Sequence, residues 1–288
     1  MHQQLLKISA FFIFIARAYQ FYFFGAPFRS VFWDESLLSP VVVGLFNYSW
    51  YDYATSPVVN ECIEGFTKVC SLILFASALS CLFWHKLKAT RPKKIILSLG
   101  VAILLFLGFC LVKTKNYDVL QFFELSIQIA VPLVFLFSKN LTQINEERLT
   151  LWLKIAIVLT FVPHGLFAMG LIYVPGHFID MTIQILGFTE TQSKQFLFIV
   201  GALDILLSVL IFVPKVAKYA LSYAIFWGFL TALSRLISSF NSDFLWQSLH
   251  NYTYLVLYRL PHAIIPLIVY LLLPKTKILT KKLTTNEN

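Results

Sequence analysis

Eight long apolar runs, at 8–24, 66–84, 95–112, 119–137, 153–173, 196–213, 219–240 and 255–273, alternate along the chain with short polar or basic stretches. Each holds about 17 to 22 residues, long enough as a helix for a hydrocarbon core near 30 Å. The pattern predicts an all-α polytopic membrane protein with eight transmembrane helices. The first run contains Ala16-Arg17-Ala18, a mimic of a signal-peptide cleavage site. The single Lys7 before it and the apolar pattern resuming at Phe21 predict instead a retained first helix.

Composition agrees. Hydrophobic residues make up 58% of the 288 positions and charged ones 13%, whereas soluble domains carry about a quarter charged residues. A soluble globule, a disordered chain and a coiled coil are excluded. The 29 Phe, 13 Tyr and 6 Trp are spread from end to end, so one continuous bilayer-embedded body is expected. The net charge of +9 would point to nucleic acid in a soluble chain, but here its distribution speaks for the membrane. With the N-terminus inside, one side collects Lys7, Lys86, Lys88, Arg91, Lys93, Lys94, Lys139, Arg148, Lys154, Lys215, Lys218, Lys275, Lys277, Lys281 and Lys282. The other has only Arg29, Lys68, Lys113, Lys115 and Lys194. That bias predicts both termini in the cytoplasm and no nucleic-acid partner.

The chain also repeats itself. Gln128 stands four residues before Pro132 in the fourth run and His262 four before Pro266 in the eighth; Pro27 followed by Arg29 and Asp34 is echoed by Pro175, His177 and Asp180. Two parallel four-helix halves are expected, 1–140 and 150–274, joined by the charged stretch 139–154 and followed by a basic cytoplasmic tail, 275–288. The long loop 26–65 reads as an interfacial or re-entrant segment or a lid, and 175–193 as holding a short surface helix.

Part of the second half resembles a known family. His164-Gly165-Leu166-Phe167, Val174-Pro175-Gly176, Gly201 followed by Asp204, Ala220-Leu221-Ser222-Tyr223 and the segment from Trp227 to Ala232 are similar to the DoxX-like four-helix membrane family, mainly over 155–235. Gly201 and Asp204 match its glycine-x-x-acid setting. The first half departs from it, since Glu64 sits at the end of its second helix. The resemblance implies a bacterial inner-membrane subunit associated with quinone-linked redox or oxidative-stress systems, with other membrane subunits or quinone as partners, and leaves open whether it has a catalytic activity of its own, the reading leaning to none.

Ionisable groups inside apolar spans cost at least ~2.5 kcal/mol near the bilayer centre and mark functional sites by default. Arg17, Lys68, Glu124, His164, Asp204, Arg235, Arg259 and His262 all fall within roughly 3–14 Å of one membrane boundary at the helical rise. Gln128 joins Gln121 and Glu124 on one helical face. Arg17, Glu124, Gln128, His164, Asp204, Arg235, Arg259 and His262 are therefore the candidate ligand-binding residues. A competing reading makes them interhelical clamps, Arg17 with Glu124 and Asp204 with Arg235 or Arg259, with Lys68 paired to Glu64. The surplus of arginine favours an anionic or electron-rich ligand.

Other chemistries lack support. Cys62, Cys70, Cys81 and Cys110 show no zinc spacing and read as small buried hydrophobes, with a pair among Cys62, Cys70 and Cys110 left open. No metal site, Walker loop or dinucleotide fingerprint is present in the sequence. The matched depths of His164 and His262 would permit haem ligation, yet the arginines nearby are explained equally well without it; quinone is the candidate cofactor. Three functions stay in view: a quinone-interacting accessory subunit, a transporter of a small anionic or proton-coupled solute, and a structural subunit.

Overall fold

A computed structural model describes residues 1–87, 90–138 and 145–273 of the chain. The basic tail 275–288, Lys88, Lys139 and most of the loop joining the two expected halves lie outside the described residues.

The first run becomes helix α1, His2–Phe23. The loop behind it folds into three short helices: α2, Arg29–Phe32; α3, Glu35–Val42, capped by the Asp34 carboxylate; and α4, Trp50–Thr55. Ser56 and Pro57 then start α5, Pro57–Leu82, the capping hydroxyl and fixed proline φ suiting a first turn. Helix α6, Thr90–Thr114, follows. The segment expected to be one fourth span is broken into α7, Leu120–Phe123, and α8, Ser126–Phe137. A tertiary bond accompanies the break: the Ile127 amide donates to Thr160 Oγ1 at 3.1 Å.

Asn145 caps α9, Glu146–Ala168, with two glutamates in its first turn. Next come α10, Gly176–Leu186, ended by Gly187 at φ 68°, and α11, Glu190–Leu210, opened by a Thr189/Gln192 capping box. Helix α12 is Ala217–Ile237. The last run is broken as well, into α13, Leu245–Leu257, and α14, Pro261–Leu272. Pro261 has no N–H to continue the ladder, and Arg259 and His262 bond three residues back instead of four, to Val256 and Arg259.

Among the described residues there is no strand, and seven segments are long and apolar enough to cross a membrane. The expected span missing from these seven is the fourth, represented by α8, whose 12 residues make about 18 Å of helix, short of a full crossing. The chain is a multi-pass, all-helical membrane protein. Residues such as Leu72, Ile199, Val209 and Phe226 are exposed, as lipid-facing side chains should be.

Helix α1 packs along α5, and α9 along α11; α6 packs on α8, and α12 on α14. Across the molecule α1 meets α14 and α8 meets α9, with α8 and α14 touching between them. His2 Nε2 and Glu146 Oε1 are 3.9 Å apart, so α1 and α9 start side by side and run in the same direction. The end where they begin is the near end, and the loops holding α2–α4 and α10 are at the far end.

Two close crossings fix the second set of helices. A Cβ on Gly165 would stand 2.7 Å from the Gly201 carbonyl, and one on Gly201 2.7 Å from the Gly165 carbonyl, so α9 and α11 touch backbone to backbone. Gly228 lets α12 approach the His262 carbonyl in the same way, at 2.6 Å.

At the far end the ion pairs differ from expectation. Glu64 accepts from Arg29 Nη2 at 2.6 Å and from Asn60 Nδ2 in place of the expected Lys68, because α2 brings Arg29 over the start of α5. Lys113 pairs with Asp34, tying α6 to the cap of α3. The four cysteines are free, with only Cys62 exposed.

Candidate functional site

Two chambers adjoin in the far half of the protein. The first, about 320 Å³, lies between α9, α10, α11, α12 and α14. Its wall is mostly apolar, with Phe161, Phe178, Met181, Phe196, Trp227 and Leu230 among the lining side chains. Asp204, Arg235, His164, Arg259 and His262 also line it. It reaches the exposed residues Ile185, Leu186 and Ile237, which gives it a mouth on the lipid-facing side. The second chamber, about 370 Å³, is polar and lies between the first and second sets of helices, lined by Arg17, Gln20, Lys115, Gln121, Glu124, Gln128, Tyr173 and His177 among others. His164, Phe178, Arg259 and His262 line both.

The polar chamber is braced from α1. Arg17 is 5% exposed. Its Nε and Nη2 donate to Gln128 Oε1 at 3.0 and 2.9 Å, and its Nη1 donates to Gln20 Oε1 at 2.7 Å. The guanidinium lies 3.9 Å above the Tyr258 ring, which Arg259 also approaches, at 4.9 Å. One ring thus steadies two cations by cation–π attraction. The expected Arg17–Glu124 clamp does not form; Gln128 takes the guanidinium, and Glu124 stands 3.9 Å from His164 Nδ1. The break between α7 and α8 separates Gln121 from Gln128, so they do not share a continuous helical face, yet both still line the chamber.

Both histidines are set by backbone. His164 Nδ1 donates to the Thr160 carbonyl at 2.7 Å and His262 Nδ1 to the Arg259 carbonyl at 2.8 Å. A carbonyl only accepts, so each Nδ1 carries a proton. The rings meet edge to face, 5.9 Å between centroids. Phe178, on α10, stacks over His164 and underlies Arg235, so it forms the partition between the chambers.

Asp204 is 4% exposed and meets the Trp227 indole. Its Oδ1 is buried without a hydrogen-bond partner, as are Arg235 Nε and the Tyr223 hydroxyl. Asp204 therefore does not clamp Arg235, although both line the apolar chamber. Buried polar atoms left unsatisfied are uncommon and expensive, and here two of opposite character face one cavity.

At the lip of the polar chamber, partial burial pushes the His177 imidazole down to about 3, helped by the positive charges of Arg235, Arg259 and Lys115. This side chain stays neutral above that range.

All eight candidate residues line one chamber or the other. Gln20, Phe178, Tyr223, Trp227 and Tyr258 were not singled out for the site from sequence. Trp227 and Tyr223 stood only within the family resemblance, and Tyr258 had one local signal, its place beside Arg259 just before Pro261. Among the described residues no group of three His, Cys, Asp or Glu side chains could hold a metal. No family model, curated protein or solved structure matches the chain.

Proposed function

We propose that the protein is a membrane subunit that binds an amphiphile, its apolar part in the first chamber and its anionic or electron-rich head at Arg235, Arg259 and His262, with quinone as the first candidate. The observation that carries this reading is the junction of an apolar chamber with a polar, cation-rich one at His164, Arg259 and His262. Drug-sized ligands occupy pockets of about 300–1,000 Å³ that are mostly apolar with a few polar anchors. The DoxX-like resemblance adds the quinone-linked, accessory character. Transport of a small anion is the rival; both chambers lie in the far half, which favours holding a ligand over passing it across.

The mirrored packing of α1–α5 with α9–α11, and of α6–α8 with α12–α14, supports two parallel repeats. In this reading Arg17 with Gln128 corresponds to His164 with His262: the first pair is closed by hydrogen bonds, the second left open as the site. The basic residues at the near end support an orientation with the far end outside, and the DoxX-like resemblance supports a bacterial inner membrane. A cysteine at Lys93 should then resist an impermeant thiol reagent in intact cells while one at Glu190 reacts; the reverse result overturns the orientation.

Absorbance and lipid-extract mass spectrometry of the purified protein test the function. One amphiphile per chain is expected, lost in Arg235→Met/Arg259→Met; a redox-dependent absorbance change identifies quinone. Wild-type protein carrying no more amphiphile than the double variant would contradict the reading.

A further inference from the structure

We infer that the ligand of the apolar chamber is oxygenated at both poles, with an acidic or carbonyl head at Arg235 and Arg259 and a hydroxyl at the opposite tip of its apolar body, received by Asp204. The inference rests on the amphiphile reading, adds a second point of recognition to it, and replaces its quinone candidate, whose tail ends in hydrocarbon, with an amphiphile oxygenated at the tip.

The tail pole is built around an orphaned oxygen. Asp204 is 4% exposed, lines the chamber, and directs at most one of its carboxyl oxygens to Trp227; Oδ1 has no partner. Among the described residues no Lys, Arg or His forms an ion pair with it. Tyr223, close enough to feel the Asp204 charge, has a buried hydroxyl that is also unpartnered. The other pole holds Arg235, with Nε buried and unpartnered.

Helix α12 sets the distance. Trp227 and Arg235 are eight residues apart in the sequence, about 12 Å along the axis. Thr231 and Ser234 lie between them, but their hydroxyls already donate to the Gly228 and Thr231 carbonyls at 3.2 and 2.9 Å. Along this wall, unmet hydrogen-bonding capacity therefore stands at Asp204 and at Arg235, toward opposite ends of a mostly apolar space. A plain hydrocarbon tail would cover Asp204 Oδ1 and leave it without water or partner. A terminal hydroxyl satisfies it in either state, donating to a carboxylate or accepting from a carboxylic acid.

Equilibrium dialysis of decanoate and ω-hydroxydecanoate against the protein in nanodiscs, with empty nanodiscs subtracted, reads the difference. Wild type should bind the hydroxylated probe about tenfold more tightly, the gain of one hydrogen bond to a buried charged or acidic group. Asp204→Leu should abolish or reverse that preference, and Asp204→Asn, which keeps an acceptor and the shape, should retain it. Equal binding of the two probes by wild type, or an undiminished preference in Asp204→Leu, overturns this inference and leaves the amphiphile reading standing. Binding of neither probe by wild type overturns the amphiphile reading, and this inference with it. The wild-type comparison stands whether or not a variant folds.

Discussion

Asp204 and Arg235 line the same chamber without pairing, each with a buried polar atom that has no partner. Both orphaned atoms cost stability, and among the described residues no ion pair at either offsets that cost, as a structural clamp would.

A double-mutant cycle measures that difference. Asp204→Asn, Arg235→Gln and the double variant should give a coupling energy below ~0.5 kcal/mol, as for groups that do not interact. A clamp would lose about 3–5 kcal/mol on removing one partner and recover it on removing both. Unfolding in detergent micelles reads the cycle.

The α9–α11 crossing makes a second prediction. Gly201→Ala forces its Cβ against the Gly165 carbonyl, which is backbone and cannot swing away. A cost of about 1–3 kcal/mol is expected, typical of overpacking. Gly176→Ala, with nothing near its Cβ, should stay within ±0.5 kcal/mol. Thermal unfolding of both variants gives the comparison, and the chamber should lose its wall only in the first.

His177 gives a pH dependence. Its folded value lies near 3, below the ordinary 6.5, so between those values the unfolded chain binds a proton that the folded protein refuses. Stability from this group is complete above pH 6.5 and falls as the solution is acidified. His177→Gln should therefore shrink the drop in melting temperature between pH 7.5 and pH 5; an unchanged drop would show that the imidazole protonates freely in the folded state.

The membrane character was legible because the runs contain so little besides apolar residues, and the candidate residues stood out for the same reason: Arg17, Asp204 and His262 have few polar rivals in their spans. Pro261 marks the break before α14, although the run 255–273 was expected as one span. The break before α8 had no comparable mark, since the Ile127 amide is taken by Thr160, 33 residues away. Partnerships were equally hidden. Helical spacing put Gln121, Glu124 and Gln128 on one face, which the break between α7 and α8 interrupts, and it did not tell that Gln128 reaches Arg17 across 111 residues, which is why the Arg17–Glu124 clamp failed. Phe178 and Tyr258, which hold the cations and histidines in place, were invisible among 29 Phe and 13 Tyr.

The central claim, that the apolar chamber holds the body of an amphiphile, is tested most directly by photolabelling the protein in nanodiscs with a diazirine-bearing fatty acid and mapping the adducts by mass spectrometry. The account predicts labelling concentrated at Met181, Trp227 and Leu230 inside the chamber, competed away by unlabelled decanoate. Labelling confined to lipid-facing positions such as Ile199, Val209 and Phe226, with no competition, would contradict it.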